Sequence, residues 1–230
     1  MLLTVLVSVA FLRFVIAQDT SIATVKRAFE KAKLPQALGL EFNPKCLLEV
    51  VFHTNVLKAP IPVTAGMTIF KNDTTIRPTF SLAFPNHRNV DTLEASKVFG
   101  RGPFVICMLD PDAPTPQNTT LGPVRHFLAT DFYINPDASG FQLVNKTPAI
   151  NNWNPPNPTK GVDAHRYAIF LFKQPPQFDG QSLINATTPI IRWNISQFVN
   201  STGLGQPIGG TFMMIAPVAP AFDFVISLLV

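Results

Sequence analysis

The apolar positions of this chain form short runs separated by turn residues, not long helical stripes. Six runs bounded by Pro, Gly and Asn are predicted as strands, at residues 47–52, 79–84, 104–109, 127–134, 167–172 and 212–215. The run at 167–172 shows no alternation of polar and apolar residues, which predicts a strand buried on both faces inside a sheet. The pattern therefore predicts a mainly β chain.

Two other segments follow the three- and four-residue spacing of an amphipathic helix. The first carries its apolar side chains at Ile22, Val25, Phe29 and Ala32. Pro35 is predicted to end this helix. A basic amphipathic helix can lie on a membrane, but the short apolar face favours packing on the domain. The second helix is predicted at about 196–202, where Asn194 can cap the start and Gly203 the end.

Composition narrows the class of protein. The 230 residues are 47% hydrophobic and only 14% charged, which is too apolar for a disordered chain and long enough for one core. The 22 prolines argue against a helical bundle, because proline interrupts helices. The formal net charge is +4, with no run of five basic residues, so nucleic acid is not a predicted partner.

The start of the chain resembles an export signal. Residues 1–17 are predicted to be a signal peptide, because an apolar segment precedes the small-residue pattern Val15-Ile16-Ala17. Arg13 interrupts the segment and no basic residue precedes it, so an uncleaved anchor is the alternative. Residues 18–230 are predicted to form a single domain, exported from the cell.

Glycosylation sequons support the same compartment. Six N-x-S/T sequons without an intervening proline begin at Asn72, Asn118, Asn145, Asn185, Asn194 and Asn200. Two cysteines, Cys46 and Cys107, are predicted to form a disulfide in an oxidising lumen. Two buried free thiols are the alternative, whereas a zinc site would need about four ligands.

The segment Asp110-Pro111-Asp112-Ala113-Pro114 directly follows a predicted strand. Its prolines fix the backbone, so two carboxylates are held at a stiff corner. An ordinary turn with solvated aspartates is the simpler alternative. Two of the four histidines favour a site: His126 opens one strand and His165 immediately precedes another. If these ends meet, imidazoles lie beside a fixed carboxylate, which predicts a small anion site.

These motifs together resemble the phosphatidylethanolamine-binding protein family, in an exported form similar to its carboxypeptidase-inhibitor members. The resemblance covers most of residues 25–215 and depends on the segment at 110–114, His126-Phe127-Leu128, His165-Arg166-Tyr167 and Gln174. It implies an antiparallel-rich β-sandwich with a few peripheral helices. It also implies a pocket for phosphate, acetate or a phospholipid headgroup, without a cofactor or bound metal.

The resemblance assigns roles to individual residues. The implied ligand-binding residues are Asp110, Pro114, His126, His165 and Tyr167. It implies a cis peptide bond before Pro114, and it gives Asp112 a part in orienting the loop. Arg166 is predicted to pair with an aspartate such as Asp112, because guanidinium suits a fixed carboxylate.

Three positions depart from the family pattern. Val124 stands where the family usually has tryptophan, Asp163 where it has glycine, and Leu121 lacks an aromatic lining group. An acidic Asp163 facing the mouth of the pocket would oppose an anionic ligand. The apolar tail at 222–230 is too short to span a bilayer and is predicted to pack on the domain.

The sequence predicts a secreted binding protein for phosphate or a headgroup such as phosphoethanolamine, not an enzyme. No G-x-S-x-G motif is present. Inhibition of a serine carboxypeptidase, which the resemblance also implies, is the main alternative. A metalloenzyme with two histidines and one carboxylate is a weaker one.

Overall fold

The computed structural model describes residues 18–53, 59–84, 100–138, 141–159, 161–178, 180–185 and 187–217. The predicted signal peptide and the predicted packing of the apolar tail lie outside the described residues. In the described part, nine strands form one sheet. They are β1 (Leu47–His53), β2 (Pro60–Pro62), β3 (Met67–Phe70), β4 (Thr79–Ala83), β5 (Phe104–Asp110), β6 (Val124–Ile134), β7 (Phe141–Asn145), β8 (His165–Lys173) and β9 (Gly209–Ala216).

Strands distant in sequence lie side by side in this sheet. The order is β2-β1-β4-β7-β6-β5-β8-β9-β3, so β2 and β3 are the edges. All neighbours pair antiparallel except β3 and β9, which run parallel. The sheet curls until β1 approaches β9, and the backbone N–H of Lys45, just before β1, donates to the carbonyl of Ile208 at 2.7 Å. The curl produces the two layers of the expected sandwich, which confirms that fold class.

All six predicted strands are present, and 167–172 is buried on both faces within β8. Strands β2, β3 and β7 were not predicted. Two of the three residues of β2 are prolines, and β3 and β7 are short strands with few buried side chains. Their pairing is set by neighbouring strands and not by their own apolar patterns.

The described residues also form four helices and one 3₁₀ turn. They are α1 (Ile22–Lys31), α2 (Leu34–Leu38), α3 (Gly180–Leu183), α4 (Ile195–Thr202) and the turn at Lys71–Thr74. Helix α1 ends before Pro35 as predicted, but Pro35 then occupies the second position of α2, where a missing N–H costs nothing. Asn194 and Gly203 cap α4 as predicted, with Gly203 at φ +64°. Among the described helices, none has the length and apolar character needed to cross a bilayer.

Two cores lie on opposite sides of the sheet. The helix-side core lies beneath α1, α2 and α4, and the inner core lies within the curl of the sheet. Strand β5 contributes to both, because its side chains alternate: Val105 faces the helices and Ile106 faces the curl. Every residue of β5 is buried.

The predicted disulfide is wrong. Cys46 and Cys107 are free and buried. Cys46 belongs to the inner core, where its thiol donates to the carbonyl of Ile208 at 3.3 Å, whereas Cys107 belongs to the helix-side core. The sheet therefore separates the two side chains. Burial raises the pKa of each thiol to about 12, so both are held as neutral thiols.

Candidate functional site

Three central strands of the sheet have ends that meet at the same side of the domain. Strand β5 lies between β6 and β8 and is antiparallel to both. The end of β5 at Asp110 therefore lies beside the beginnings of β6 and β8, and Asp110 pairs directly with Val124. This topology brings Asp110, His126 and His165 together, as the positions of the histidines at strand starts predicted.

The three strand ends open into a cavity of about 250 Å³. Its floor is formed by strand residues and the segment that follows β5, and its wall by the proline-rich segment 154–159. The lining residues are Asp110, Ala113, Pro114, Val124, His126, Asn154, Pro155, Asn157, Pro158, Thr159, His165 and Tyr167. All five predicted ligand-binding residues thus line one cavity, and the peptide bond between Ala113 and Pro114 is cis.

Asp110 and His165 form a buried pair on the cavity floor, each only 3% exposed at the side chain. His165 Nδ1 lies 2.9 Å from Asp110 Oδ2, and the backbone N–H of Asp112 donates to Asp110 Oδ1 at 2.8 Å. His165 Nε2 is buried and has no hydrogen-bond partner among the described residues. Such an atom carries a desolvation cost unless a ligand satisfies it.

Tyr167 lies next to this pair. Its ring is nearly parallel to that of His165, at 6.3 Å between centroids, and meets His126 edge-on at 5.1 Å. Burial raises the pKa of Tyr167, and the charge of Asp110 and a hydrogen bond to it raise that pKa further. The hydroxyl therefore stays protonated at physiological pH.

His126 joins the strand floor to the cavity wall. Its Nδ1 lies 2.9 Å from the carbonyl oxygen of Asn154, and the backbone N–H of Asn154 donates to the His126 carbonyl at 2.9 Å. This reciprocal pair holds the proline-rich segment against β6. Burial lowers the pKa of His126, although the hydrogen bond to Asn154 and the charge of Asp110 act in the opposite direction.

Asp112 faces away from the cavity and binds Arg166, which confirms the predicted pair. Arg166 donates from Nε to Asp112 Oδ2 at 2.9 Å and from Nη2 to Oδ1 at 2.5 Å, and its backbone N–H also donates to Oδ2. The remaining Nη1 reaches the carbonyl of Ala32 at the end of α1. A bidentate pair thus connects the pocket loop, β8 and α1.

Two parts of the site were missed by sequence reasoning. The wall at 154–159 contains no charged residue that would mark it as functional, and only its proline content was a signal. Gly122 packs so closely on the pocket loop that a Cβ there would overlap the carbonyl of Pro111. Only glycine allows this approach, and a glycine-proline dipeptide does not reveal it.

Of the three positions that depart from the family pattern, only Val124 lines the cavity. Val124 lines the cavity, where it replaces an aromatic ring with a smaller apolar side chain. Asp163 is exposed, accepts a hydrogen bond from Gln117 Nε2 at 2.6 Å and is not among the lining residues. Leu121 is not among them either. The acidic group thus lies outside the lining.

The described residues contain no group of three or more His, Cys, Asp and Glu side chains placed to hold a metal ion. Asp110 uses one carboxylate oxygen to hold His165 and the other to accept from the backbone of Asp112, so its side chain orients an imidazole.

The sequon asparagines lie mostly at the surface. Asn72, Asn118, Asn185, Asn194 and Asn200 are exposed, and Asn145 is half-buried. The side chain of Asn145 accepts from Arg77 and donates to the carbonyl of Thr147, and that of Asn194 caps α4. Glycosylation of all six stays a prediction.

Comparison with known proteins identifies relatives. Protein BROTHER of FT and TFL 1 of Arabidopsis thaliana is 29% identical over 174 residues, covering 74% of this chain and 80% of that protein. A carboxypeptidase Y inhibitor, solved in complex with its cognate proteinase, superposes with a TM-score of 0.67 at 18% identity, covering 86% of this chain and 98% of the inhibitor. The phosphatidylethanolamine-binding protein of Plasmodium vivax superposes with a TM-score of 0.58 at 12% identity, over 84% and 98% of the two chains.

The two structural matches show a shared fold. The family itself is shown by the sequence, because the model of the phosphatidylethanolamine-binding protein family matches residues 57–213, which include every residue of the cavity. This chain belongs to the phosphatidylethanolamine-binding protein family.

Proposed function

We propose that this protein binds a phosphate-type oxyanion in the cavity, either phosphate itself or the phosphoryl part of a headgroup such as phosphoethanolamine, and does not turn it over. The observation that carries the proposal is the buried, unpartnered Nε2 of His165 in a cavity of about 250 Å³. A buried polar atom without a partner at the floor of an open cavity is an atom that a ligand completes.

The surrounding groups suit an oxyanion. The wall residues that line the cavity include Asn154, Asn157 and Thr159, whose side chains carry amide and hydroxyl donors. When protonated, the two imidazoles add N–H donors and positive charge.

The proposal predicts tighter binding in acid. Burial lowers the pKa of His126, so this imidazole is neutral at pH 7.5 in the empty protein. A bound anion stabilises the charged form, and linkage requires that protonation in turn strengthens anion binding. We therefore expect affinity to rise as pH falls from 7.5 to 5.5.

The test is calorimetric titration of the deglycosylated protein with phosphate and with phosphoethanolamine at pH 5.5 and 7.5. We expect saturable binding that is lost in both His126→Ala and His165→Ala. His53→Ala is the matched control, because His53 is exposed at the end of β1, outside the cavity lining. Absence of binding at either pH would refute the proposal.

A second candidate is inhibition of a serine carboxypeptidase. It is favoured by the superposition on a carboxypeptidase Y inhibitor over 98% of that inhibitor's length. We expect the intact protein to inhibit such a peptidase in a stoichiometric titration. If the surface that contacts the peptidase lies outside the cavity, the His165→Ala variant should inhibit equally well. No inhibition across a panel of these peptidases would remove this candidate and leave the oxyanion proposal standing.

We also propose that the protein is exported. The apolar segment at 1–17 and the six sequons support this, five of which begin at exposed asparagines. An exported protein can meet a secreted or vacuolar peptidase, which makes the second candidate compatible with the first.

A further inference from the structure

The protons of the two pocket histidines are directed away from the cavity. His165 Nδ1 faces the carboxylate of Asp110 and His126 Nδ1 faces the carbonyl of Asn154, each at 2.9 Å. A carboxylate and a carbonyl only accept hydrogen bonds, so each Nδ1 must carry the proton. A neutral imidazole has one N–H, and burial lowers the pKa of His126, so at neutral pH this ring presents the lone pair of Nε2 to a ligand.

The other polar groups on the floor are also acceptors or already paired. The two oxygens of Asp110 accept from Asp112 and His165. The Tyr167 hydroxyl lies beside the Asp110 carboxylate, whose charge raises the pKa of Tyr167. A carboxylate only accepts hydrogen bonds, so Asp110 offers no donor to a ligand and is itself an acceptor for the Tyr167 hydroxyl.

The opposite wall supplies donors. Asn154, Asn157 and Thr159 line it, and the amide oxygen of Asn157 is held by Lys71 Nζ at 3.1 Å, which leaves its NH₂ group for a ligand. The cavity thus has acceptors on the strand side and neutral donors on the loop side. An ion that matches both sides must accept on several oxygens and donate from one.

We propose that at neutral pH the cavity selects an oxyanion that carries its own proton, hydrogenphosphate, over sulfate and over phosphodiesters. This inference rests on the proposed oxyanion function. The P–O–H group of hydrogenphosphate donates to a histidine Nε2 while its other oxygens accept from the wall. Sulfate has the same shape and charge but no proton, so it places an oxygen lone pair against the lone pair of Nε2.

The size of the discrimination follows from the unsatisfied acceptor. A buried polar group that loses its partner weakens binding, so we expect phosphate to bind about 10- to 100-fold more tightly than sulfate at pH 7.5, which corresponds to about 1.4–2.8 kcal/mol. A phosphodiester, as found in a phospholipid headgroup, lacks the P–O–H group and is expected to be disfavoured in the same way.

Acidification should reduce the difference. The charged or titratable groups around the two rings are Asp110, Tyr167, the Asp112–Arg166 pair behind the loop and Lys71 at the wall. Protonation of the His126 imidazole converts its Nε2 into a donor, so sulfate binding should strengthen by up to about tenfold per pH unit for the proton taken up.

The test compares inorganic phosphate, sulfate and dimethyl phosphate by calorimetry at matched ionic strength, first at pH 7.5 and then at pH 5.5. At pH 7.5 we expect phosphate to bind and sulfate and dimethyl phosphate to bind weakly. At pH 5.5 we expect the affinities of the three ions to differ less. Dimethyl phosphate is the diester arm, which separates a headgroup from free phosphate.

One variant tests the mechanism directly. His126→Gln places an amide NH₂ near the position of Nε2, so it should raise sulfate affinity relative to phosphate at pH 7.5, with His53→Gln as the control. Equal affinities for phosphate and sulfate at pH 7.5 in the unsubstituted protein overturn this inference and leave the proposed function intact. Failure of all three ions to bind at both pH values overturns the proposed function instead.

Discussion

Replacing Arg166 by methionine is expected to lower the free energy of unfolding by about 3–5 kcal/mol, because removing one partner of a buried ion pair leaves an uncompensated charge. The carboxylate that loses its partner belongs to Asp112, whose side chain is 1% exposed. Methionine keeps much of the apolar stem, so the loss reports the guanidinium. Chemical denaturation with urea measures the change, and phosphate titration of the folded variant should show weakened binding because the loop bearing Asp110 loses its support.

Arg27→Met is the matched control for this prediction. Arg27 is exposed on α1 and, among the described residues, makes a single 3.4 Å side-chain hydrogen bond to Thr24, so its replacement should change stability by less than about 0.5 kcal/mol. Asp112→Asn tests the charge with little change of shape and should also be destabilising. Equal stabilities of the Arg166 and Arg27 variants would show that the pair does not hold the loop.

Phe29→Ala is expected to cost about 3–5 kcal/mol of unfolding free energy, the range for deleting a buried aromatic ring. Phe29 is fully buried and attaches α1 to the sheet. Its ring stacks on Phe42 with centroids 4.0 Å apart and meets Phe212 edge-on at 5.1 Å. Urea denaturation followed by far-ultraviolet circular dichroism measures the loss.

The neighbouring Glu30 gives the control for Phe29. Its side chain is exposed and lies 3.9 Å from Lys26, a surface pair worth little. Glu30→Ala should leave the free energy of unfolding within about 0.5 kcal/mol of that of the parent protein. A loss of similar size in both variants would mean that the helix contributes through its backbone and not through this aromatic contact.

The strongly apolar strands and the capped helices were predictable because each carries a local signal. Six consecutive apolar residues predict strand β8, and the capping residues Asn194 and Gly203 predict the ends of α4. Strands β2, β3 and β7 carry no such signal, because their positions depend on partners distant in the chain. Met67 in β3, for example, pairs with Met213 in β9.

The strand-derived part of the site was predictable, and the loop-derived part was not. An aspartate at one strand end and histidines at two strand starts converge when the strands are antiparallel neighbours, so motif position carries the geometry. The wall at 154–159 is placed by backbone pairing of Asn154 with His126, which residue identity does not encode. The prediction of a disulfide was wrong for a related reason, because the face of the sheet that a cysteine occupies depends on strand register.

Arg125 shows a further limit of sequence reasoning. It lies between two cavity-lining residues but points to the other side of β6 and is fully buried. Its guanidinium donates to Asn151 Oδ1 at 3.0 Å and to the carbonyl of Thr188 at 3.1 Å, and lies 5.0 Å from the ring of Trp193. Neutral dipoles and an aromatic face surround a cation here, an environment that no local pattern predicts.

The three-residue edge strand β2 also bears on self-association. The N–H of Val63 donates to Val50 in β1 at 2.8 Å, so by alternation the backbone nitrogens of Pro60 and Pro62 face away from the sheet. Both outward positions are prolines, which have no N–H to donate. An incoming strand from another molecule therefore finds no donors along β2, and this edge of a strongly apolar, phenylalanine-rich sheet is protected against growth by strand addition and against aggregation.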